Sequence, residues 1–280
     1  MFVMCRKIIY EPIKDYEFVV KKMRNALKKY IYDSKLESLV IGVSGGIDSA
    51  LCCALARPVC NELGIPLIGR SIPMHTNKED EISRAKDIGE ILCTDFKEVT
   101  RLNDTWLGFP QERTLKEDEH SRKIRIGNIM ARIRMIYLYD VAQANKGMVL
   151  STDNLTEMFL GFWTLHGDVG DYGMVQSLWK TEVYEMSEYL QENEGVLVLK
   201  DCIEATPTDG LGITNSDLDQ IGASSYKEVD KILKSFILHE KDTYGDHPVI
   251  KRYHSTMFKR DNPLNLHRGD VVDLNWTYND

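Results

Sequence analysis

Apolar positions recur along the chain with two different periods, and the switches between them lay out strands and helices in turn. Residues 16–35 place Phe18, Val19, Met23, Ala26, Leu27, Tyr30 and Ile31 on one stripe opposite lysines, the pattern of an amphipathic helix packed outside a sheet. Residues 39–43 form a short continuous apolar run instead, as a central parallel strand buried on both faces requires. The helical period returns at Ile47 through Ala50, Leu51, Ala54 and Leu55, and residues 66–72 read as a second strand, which completes a βαβ unit.

Beyond this unit, residues 73–81 are polar and predict a loop, followed by a helix over 80–92 and a strand near 96–99. Residues 111–123 read as a charged, solvated connection, and 124–144 as a long helix in which Arg125, Arg132 and Arg134 interleave with Ile129, Ile133, Met135, Ile136, Leu138 and Val141. A strand over 148–151 leads into Ser151-Thr152-Asp153-Asn154-Leu155-Thr156-Glu157, whose polar residues suit a helix N-cap. An aromatic, glycine-punctuated loop covers 161–171, an amphipathic helix begins at Lys180, and residues 205–212 predict a flexible loop of a length that suits a lid. Helices follow from about Ser216 and over 226–239, and the tail carries Lys259, Arg260 and Pro263. No internal repeat or linker divides the chain, so a single domain over residues 1–280 is expected.

Candidate chemistry concentrates where strand gives way to helix. Between the first strand and Ile47, Gly45 and Gly46 can take positive φ and let backbone N–H groups approach an anion, while Ser44 and Ser49 add hydroxyls. The turn therefore reads as a phosphate cradle at a positive helix end. It lacks the Gly-Lys-Ser/Thr ending of a Walker loop and carries Asp48 instead. A carboxylate beside phosphates is repelled unless a divalent cation lies between them, which makes Asp48 a candidate Mg²⁺ ligand. Glu157 either joins Asp48 on that ion or belongs only to a helix cap. Lys180 either neutralises phosphate charge or is an exposed first-turn lysine. Asn128 and Arg132, four apart on one helix face, are candidates to clamp one ligand; Asn77 is a possible loop contact, and His75 is read as ordinary loop polarity.

Composition narrows the class without changing the pattern. With 43% hydrophobic and 28% charged residues the chain is globular, and a net charge of −8 argues against a broad nucleic-acid surface. The six cysteines show no Cys-x-x-Cys spacing and read as reduced structural thiols. No apolar run is long enough for a membrane span and no signal-like N-terminus appears, so a cytoplasmic location without membrane partners is expected.

Ser44-Gly-Gly-Ile-Asp-Ser49 resembles the signature of the ATP pyrophosphatases, which cleave ATP to AMP and pyrophosphate. In order along the chain come Asn128-Ile-Met-Ala-Arg132-Ile-Arg134-Met, Ser151-Thr-Asp-Asn-Leu-Thr-Glu157, Gly161-Phe-Trp-Thr-Leu-His-Gly-Asp168, Lys180, Pro207-Thr208 and Lys259-Arg260. Together these resemble the ammonia-dependent NAD synthetases. The resemblance implies an α/β fold with an open, mostly parallel sheet flanked by helices (Rossmann-like, adenine nucleotide alpha hydrolase-like), usually in a homodimer. It implies ATP, deamido-NAD and ammonia as substrates, Mg²⁺ as cofactor and an adenylated intermediate. Carried over position by position, it implies ATP contacts at Gly42, Val43, Ser44, Gly45, Gly46, Ile47, Asp48, Ser49, Thr152, Lys180 and Thr208. It further implies Mg²⁺ ligands Asp48 and Glu157, catalytic roles for Asp48 and Lys180, and deamido-NAD contacts at Asn128, Arg132, Asp168 and Lys259.

Three positions depart from the family pattern. Leu165 stands where relatives tend to carry lysine, Tyr172 where they carry an acid, and Phe258 where a histidine precedes the lysine. Asp171 is the candidate to supply the missing carboxylate to the substrate. All three departures fall in the acceptor half, so amidation of a different carboxylate is the alternative. Only about 40 residues precede the signature strand, too few for a glutaminase domain, so free ammonia, or ammonia from a separate partner, is the expected nitrogen donor.

Overall fold

Ser38–Gly42 (β1) is the middle of five parallel strands ordered β3-β2-β1-β4-β5 in a computed structural model. The structure describes residues 11–102, 104–105, 118–208, 216–239, 244–260 and 262–263. The expected open parallel sheet is present. Its other strands are Leu67–Ser71 (β2), Asp95–Glu98 (β3), Gly147–Ser151 (β4) and the two-residue Tyr172–Gly173 (β5), which follows directly on the loop expected over 161–171.

Alternation along the strands builds a separate core on each face of the sheet. In register, Leu39 lies beside Leu67 and Met148, and these side chains, with Ile41 and Leu150, pack under helices Tyr16–Ser34 (α1), Ile47–Leu63 (α2) and Glu79–Leu92 (α3). Val40, Ile68 and Val149 point the opposite way and meet Met130, Ile133, Leu138 and Val141 of Glu119–Ala144 (α4). Burying both faces is what permits an all-parallel sheet, and it explains the unbroken apolar run in β1.

α4 starts at Glu119 rather than at 124, which corrects the expected boundary. Asp118 caps it by accepting from the Ser121 N–H at 2.7 Å, so charged residues assigned to a connection form its solvated first turns. Residues 111–117 of the expected connection, and 209–215 with the second half of the expected lid, lie outside the described residues. Leu155–Leu160 (α5) follows β4, and Lys180–Asn193 (α6) follows β5. After a 3-10 turn at Leu197–Leu199 come Lys200–Glu204 (α7), Asp217–Ile221 (α8), Tyr226–His239 (α9), Pro248–Ser255 (α10) and Met257–Arg260 (α11). Leu155, Trp179, Val229, Leu233 and Val249 form a third apolar cluster that ties α9 and α10 to the start of α6. Among the described residues no helix is long and apolar enough to cross a membrane.

Candidate active site

The chain runs from β1 outward through β2 to β3, then returns to place β4 and β5 on the other side of β1. Ligands of open parallel sheets bind at such a reversal, beyond the carboxyl ends of the strands. A cavity of about 690 Å³ lies there, lined by the turn after β1, the loop after β2 and the segment after β4.

The turn after β1 is built around one conformationally special glycine. Gly45 has φ +83°, and a Cβ on it would stand 2.2 Å from the Glu81 carbonyl oxygen on α3. Gly46 has φ −87° and is the N-cap of α2, so of the two glycines free to take positive φ only the first does. The Ser44 and Ser49 hydroxyls lie 3.1 Å apart; Ser44 Oγ accepts from the Gly46 N–H at 3.2 Å, and Ser49 Oγ donates to the Gly46 carbonyl at 3.0 Å. Serine side chains thereby hold the turn open at the start of α2, where helix polarity favours an anion.

Three charged side chains from three helices meet beside this turn. The Lys180 ammonium, first residue of α6, lies 2.5 Å from Asp48 Oδ2 on α2 and 3.3 Å from Glu157 Oε1 on α5. Asn154 fixes both acids: its Nδ2 donates to Asp48 Oδ1 at 2.9 Å, and its Oδ1 accepts from the Glu157 N–H at 3.0 Å. Burial works against the charge on Lys180, but Asp48 and Glu157 more than reverse this and hold it protonated well above the ordinary lysine range. Burial pushes the Glu157 carboxyl up, and Lys180 pulls it partly back. Asp153, which also lines the cavity, is pushed up to about 7 by burial despite accepting from the Ser151 hydroxyl at 2.7 Å. Lys180 is thus a buried member of the site rather than an exposed first-turn lysine.

The opposite wall is a chain of polar contacts. Thr208 donates to Glu81 Oε1 at 2.5 Å, Asn77 donates to Glu81 Oε2 at 3.0 Å, and Arg134 Nη2 donates to Asn77 Oδ1 at 3.1 Å. Thr152 and Asn77 line the cavity, whereas His75 does not. Glu81 and Arg134 are cavity residues to which sequence reading gave no role.

Asn128, Asp168 and Lys259 line the same cavity further from the glycine turn. The Thr164 hydroxyl donates to Asn128 Oδ1 at 2.6 Å, and the Thr164 N–H donates to Asp168 Oδ2 at 2.5 Å. Surrounding protein pushes the Asp168 carboxyl up, opposed by the Thr164 N–H and by Arg134. Lys259 donates to the carbonyls of Gly161, at 2.8 Å, and Trp163.

Two expected substrate contacts stand outside the cavity. Arg132 is exposed, with Nε donating to the Leu165 carbonyl at 3.1 Å, and unlike Asn128 it does not line this cavity. Asp171 has both oxygens engaged, accepting from Tyr139 and from the Val149 N–H at 2.9 Å each, and it braces the edge of β4. Of the three departures, Tyr172 packs on Tyr30 with ring centroids 5.0 Å apart, Phe258 is 63% exposed, and Leu165 meets Arg132; none lines the cavity.

Among the described residues no three His, Cys, Asp or Glu side chains gather as a metal cage. The acid pair nevertheless fits Mg²⁺, because Asp48 and Glu157 already converge on one cation, the Lys180 ammonium. Mg²⁺ is commonly held by one or two carboxylates with phosphate oxygens completing its shell.

The sequence matches the model of the NAD synthase family over residues 19–263. The chain belongs to the NAD synthase family. It is 33% identical over 254 residues to an NH(3)-dependent NAD(+) synthetase of Thermoplasma acidophilum, covering 90% of this chain and 97% of that protein. A Methanoregula boonei protein of the same name is 32% identical over 237 residues, 83% of this chain and 90% of that one. Among solved structures, the NMN synthetase of Francisella tularensis superposes with TM-score 0.73 at 25% identity, covering 91% of this chain and 100% of that one. The NH3-dependent NAD synthetase of Campylobacter jejuni shares the fold with TM-score 0.67 at 23% identity, over 90% of this chain and 100% of that one.

Proposed function

We propose that the protein is an ammonia-dependent NAD⁺ synthetase, a carbon–nitrogen ligase that amidates deamido-NAD with ATP through an adenylated intermediate, releasing AMP and pyrophosphate. The observation that carries this reading is the meeting of Asp48, Glu157 and Lys180 at the edge of a serine-glycine turn. The names of the most similar relatives supply the substrate class, and their lengths are nearly those of this chain.

In the first step the nicotinate carboxylate attacks the α-phosphorus of ATP and pyrophosphate departs; in the second, ammonia attacks the acyl carbon and AMP departs. The chemistry asks the protein for alignment and for relief of negative charge on the leaving group. Ser44, Gly45, Gly46 and Ser49 would receive the departing diphosphate with hydroxyls and N–H groups, and Lys180 would add its charge. Asp48 and Glu157 would hold Mg²⁺, which when bound neutralises phosphate charge. Thr152 and Thr208 would line the ATP side, with Asn128, Asp168 and Lys259 on the acceptor side. Purified protein given ATP, Mg²⁺ and deamido-NAD should form NAD⁺ with ammonium and none with glutamine alone; amidation with glutamine alone would refute the ammonia-dependent assignment.

A second reading of the acceptor is favoured by one observation, the likeness to an NMN synthetase structure. If the acceptor is the carboxylate counterpart of NMN, that mononucleotide should outcompete deamido-NAD in kcat/KM. Free, buried thiols at Cys52, Cys53, Cys60, Cys93 and Cys202 support a reducing, cytoplasmic setting. The family supports a homodimer, and the exposed Ile136 and Tyr139 on α4 offer apolar surface for one; sedimentation as a monomer at micromolar concentration would contradict it.

A further inference from the structure

A closed set of hydrogen bonds lies directly behind the Asp48–Glu157–Lys180 cluster, completed by a carboxylate from α9, an element that sequence reading kept out of the site. Asp230 is 2% exposed. Its Oδ1 accepts from the Thr156 hydroxyl at 2.6 Å, and its Oδ2 accepts from the Thr181 N–H at 3.0 Å. The same Thr156 hydroxyl accepts from the Lys180 N–H at 2.8 Å. Thr156 immediately precedes Glu157 on α5, and Thr181 immediately follows Lys180 on α6. One buried carboxylate therefore fixes the first turn of α6 against the first turn of α5.

Docking of α9 does not call for this acid. Val229, Ile232 and Leu233 already bury the helix in the third apolar cluster. Burying a carboxylate is costly unless hydrogen bonds satisfy it, and the donors to this one come from the two segments that carry Glu157 and Lys180. Asp230 does not line the cavity.

We propose that Asp230 is a positioning residue: by gripping Thr156 and Thr181 it sets the separation of Glu157 and Lys180, so that both reach Asp48. The role in turnover rests on the ATP and Mg²⁺ reading given above, whereas the structural half does not.

The test compares Asp230→Ala, Thr156→Val and Thr156→Ser in the full-length protein with two readouts. One is the rate of reductive methylation of Lys180 in nucleotide-free protein, followed by peptide mass spectrometry. The other is AMP release as a function of Mg²⁺ concentration. Losing a hydrogen bond to a charged group should expose Lys180, raising its methylation rate roughly tenfold or more in Asp230→Ala and Thr156→Val. Misplacement of the cluster should lower kcat on the order of 100-fold and raise the Mg²⁺ requirement, with the KM for the acceptor nearly unchanged. Thr156→Ser keeps the hydroxyl and should restore both readouts. If Asp230→Ala fails to fold, the threonine pair decides. A folded Asp230→Ala or Thr156→Val protein whose Lys180 is as protected as in the wild type overturns the proposal. Loss of protection as expected, with no Mg²⁺-dependent AMP release from wild-type protein, would uphold the positioning role and refute the site as an adenylating centre.

Discussion

The two glycines of the signature turn look alike in sequence, yet the structure makes them unequal by a measurable amount. Gly45 holds φ +83°, a region that costs an alanine about 1–2 kcal/mol. An added Cβ would also lie 2.2 Å from the Glu81 carbonyl oxygen and 3.1 Å from the Ala85 nitrogen. These are backbone atoms that cannot rotate aside, so α3 must shift, and overpacking of this kind costs about 1–3 kcal/mol. Gly45→Ala should therefore lose about 2–5 kcal/mol in all, or roughly 2–4 °C of melting temperature per kcal/mol in a chain of this size. Gly46 has φ −87°, and a Cβ there would meet only the Ser44 hydroxyl at 3.3 Å, which can turn away. Gly46→Ala should stay within about 1 kcal/mol of wild type. The loss at Gly45 should reach function as well, because α3 carries Glu81, which holds Thr208 and Asn77 on the far wall. Thermal melts, with calorimetric titration of a non-hydrolysable ATP analogue, check both points. A Gly45→Ala protein that melts with wild type and binds the analogue normally, or a Gly46→Ala protein that is the worse of the two, would refute the reasoning.

Other outcomes follow from the same geometry. Asp48→Asn and Glu157→Gln should each lower AMP formation by about 100-fold or more with the fold retained, as circular dichroism would show; full activity in both would count against shared Mg²⁺ ligation. Because burial raises Asp153 to about 7, its contribution to stability is fully present below its unfolded value near 3.8 and is lost as pH rises through about 7. The unfolding free energy of ligand-free wild type, measured by denaturant titration, should accordingly fall relative to Asp153→Asn between pH 4 and 7, by about 1.4 kcal/mol per pH unit. Arg134→Ala should raise the KM for ATP or acceptor by about tenfold, since Arg134 lines the cavity and bonds Asn77, whereas Arg132→Ala should change either by less; the reverse ranking would contradict the placement of the two arginines.

What the sequence made legible was local. The run through β1, the glycine turn and the onset of α2 follow each other within a few residues, so strand, turn and helix signals could be read from neighbours. The convergence of Asp48, Glu157 and Lys180 was suggested by family resemblance; residue types alone left a cap and a surface lysine equally open. Helical spacing of four put Asn128 and Arg132 on one face, but the cavity takes Asn128, Ala131, Met135 and Leu138, and Arg132 sits at the border of that strip and is exposed. A period locates a face only to within the reach of a long side chain, which is why Arg134 rather than Arg132 entered the cavity. Asp230 had no local signal, because its partners lie 74 and 49 residues away, and its place on the buried side of α9, four residues after Tyr226 and three before Leu233, says nothing of what it meets there. The short pieces after α6 give no signal for a related reason: α7 and α11 are too short for a period to emerge, and what holds them is distant, the burial of Cys202 for α7 and hydrogen bonds from Lys259 and Arg260 to the carbonyls of Gly161, Trp163 and Phe159 for α11.

The most direct test of the whole account is a coupled assay of purified protein with ATP, Mg²⁺, ammonium and deamido-NAD in which NAD⁺ and AMP are quantified together. Equal amounts of the two are predicted, with both lowered by about 100-fold or more when Asp48 is replaced by asparagine. AMP formed without amidated product, or undiminished turnover in that variant, would contradict it.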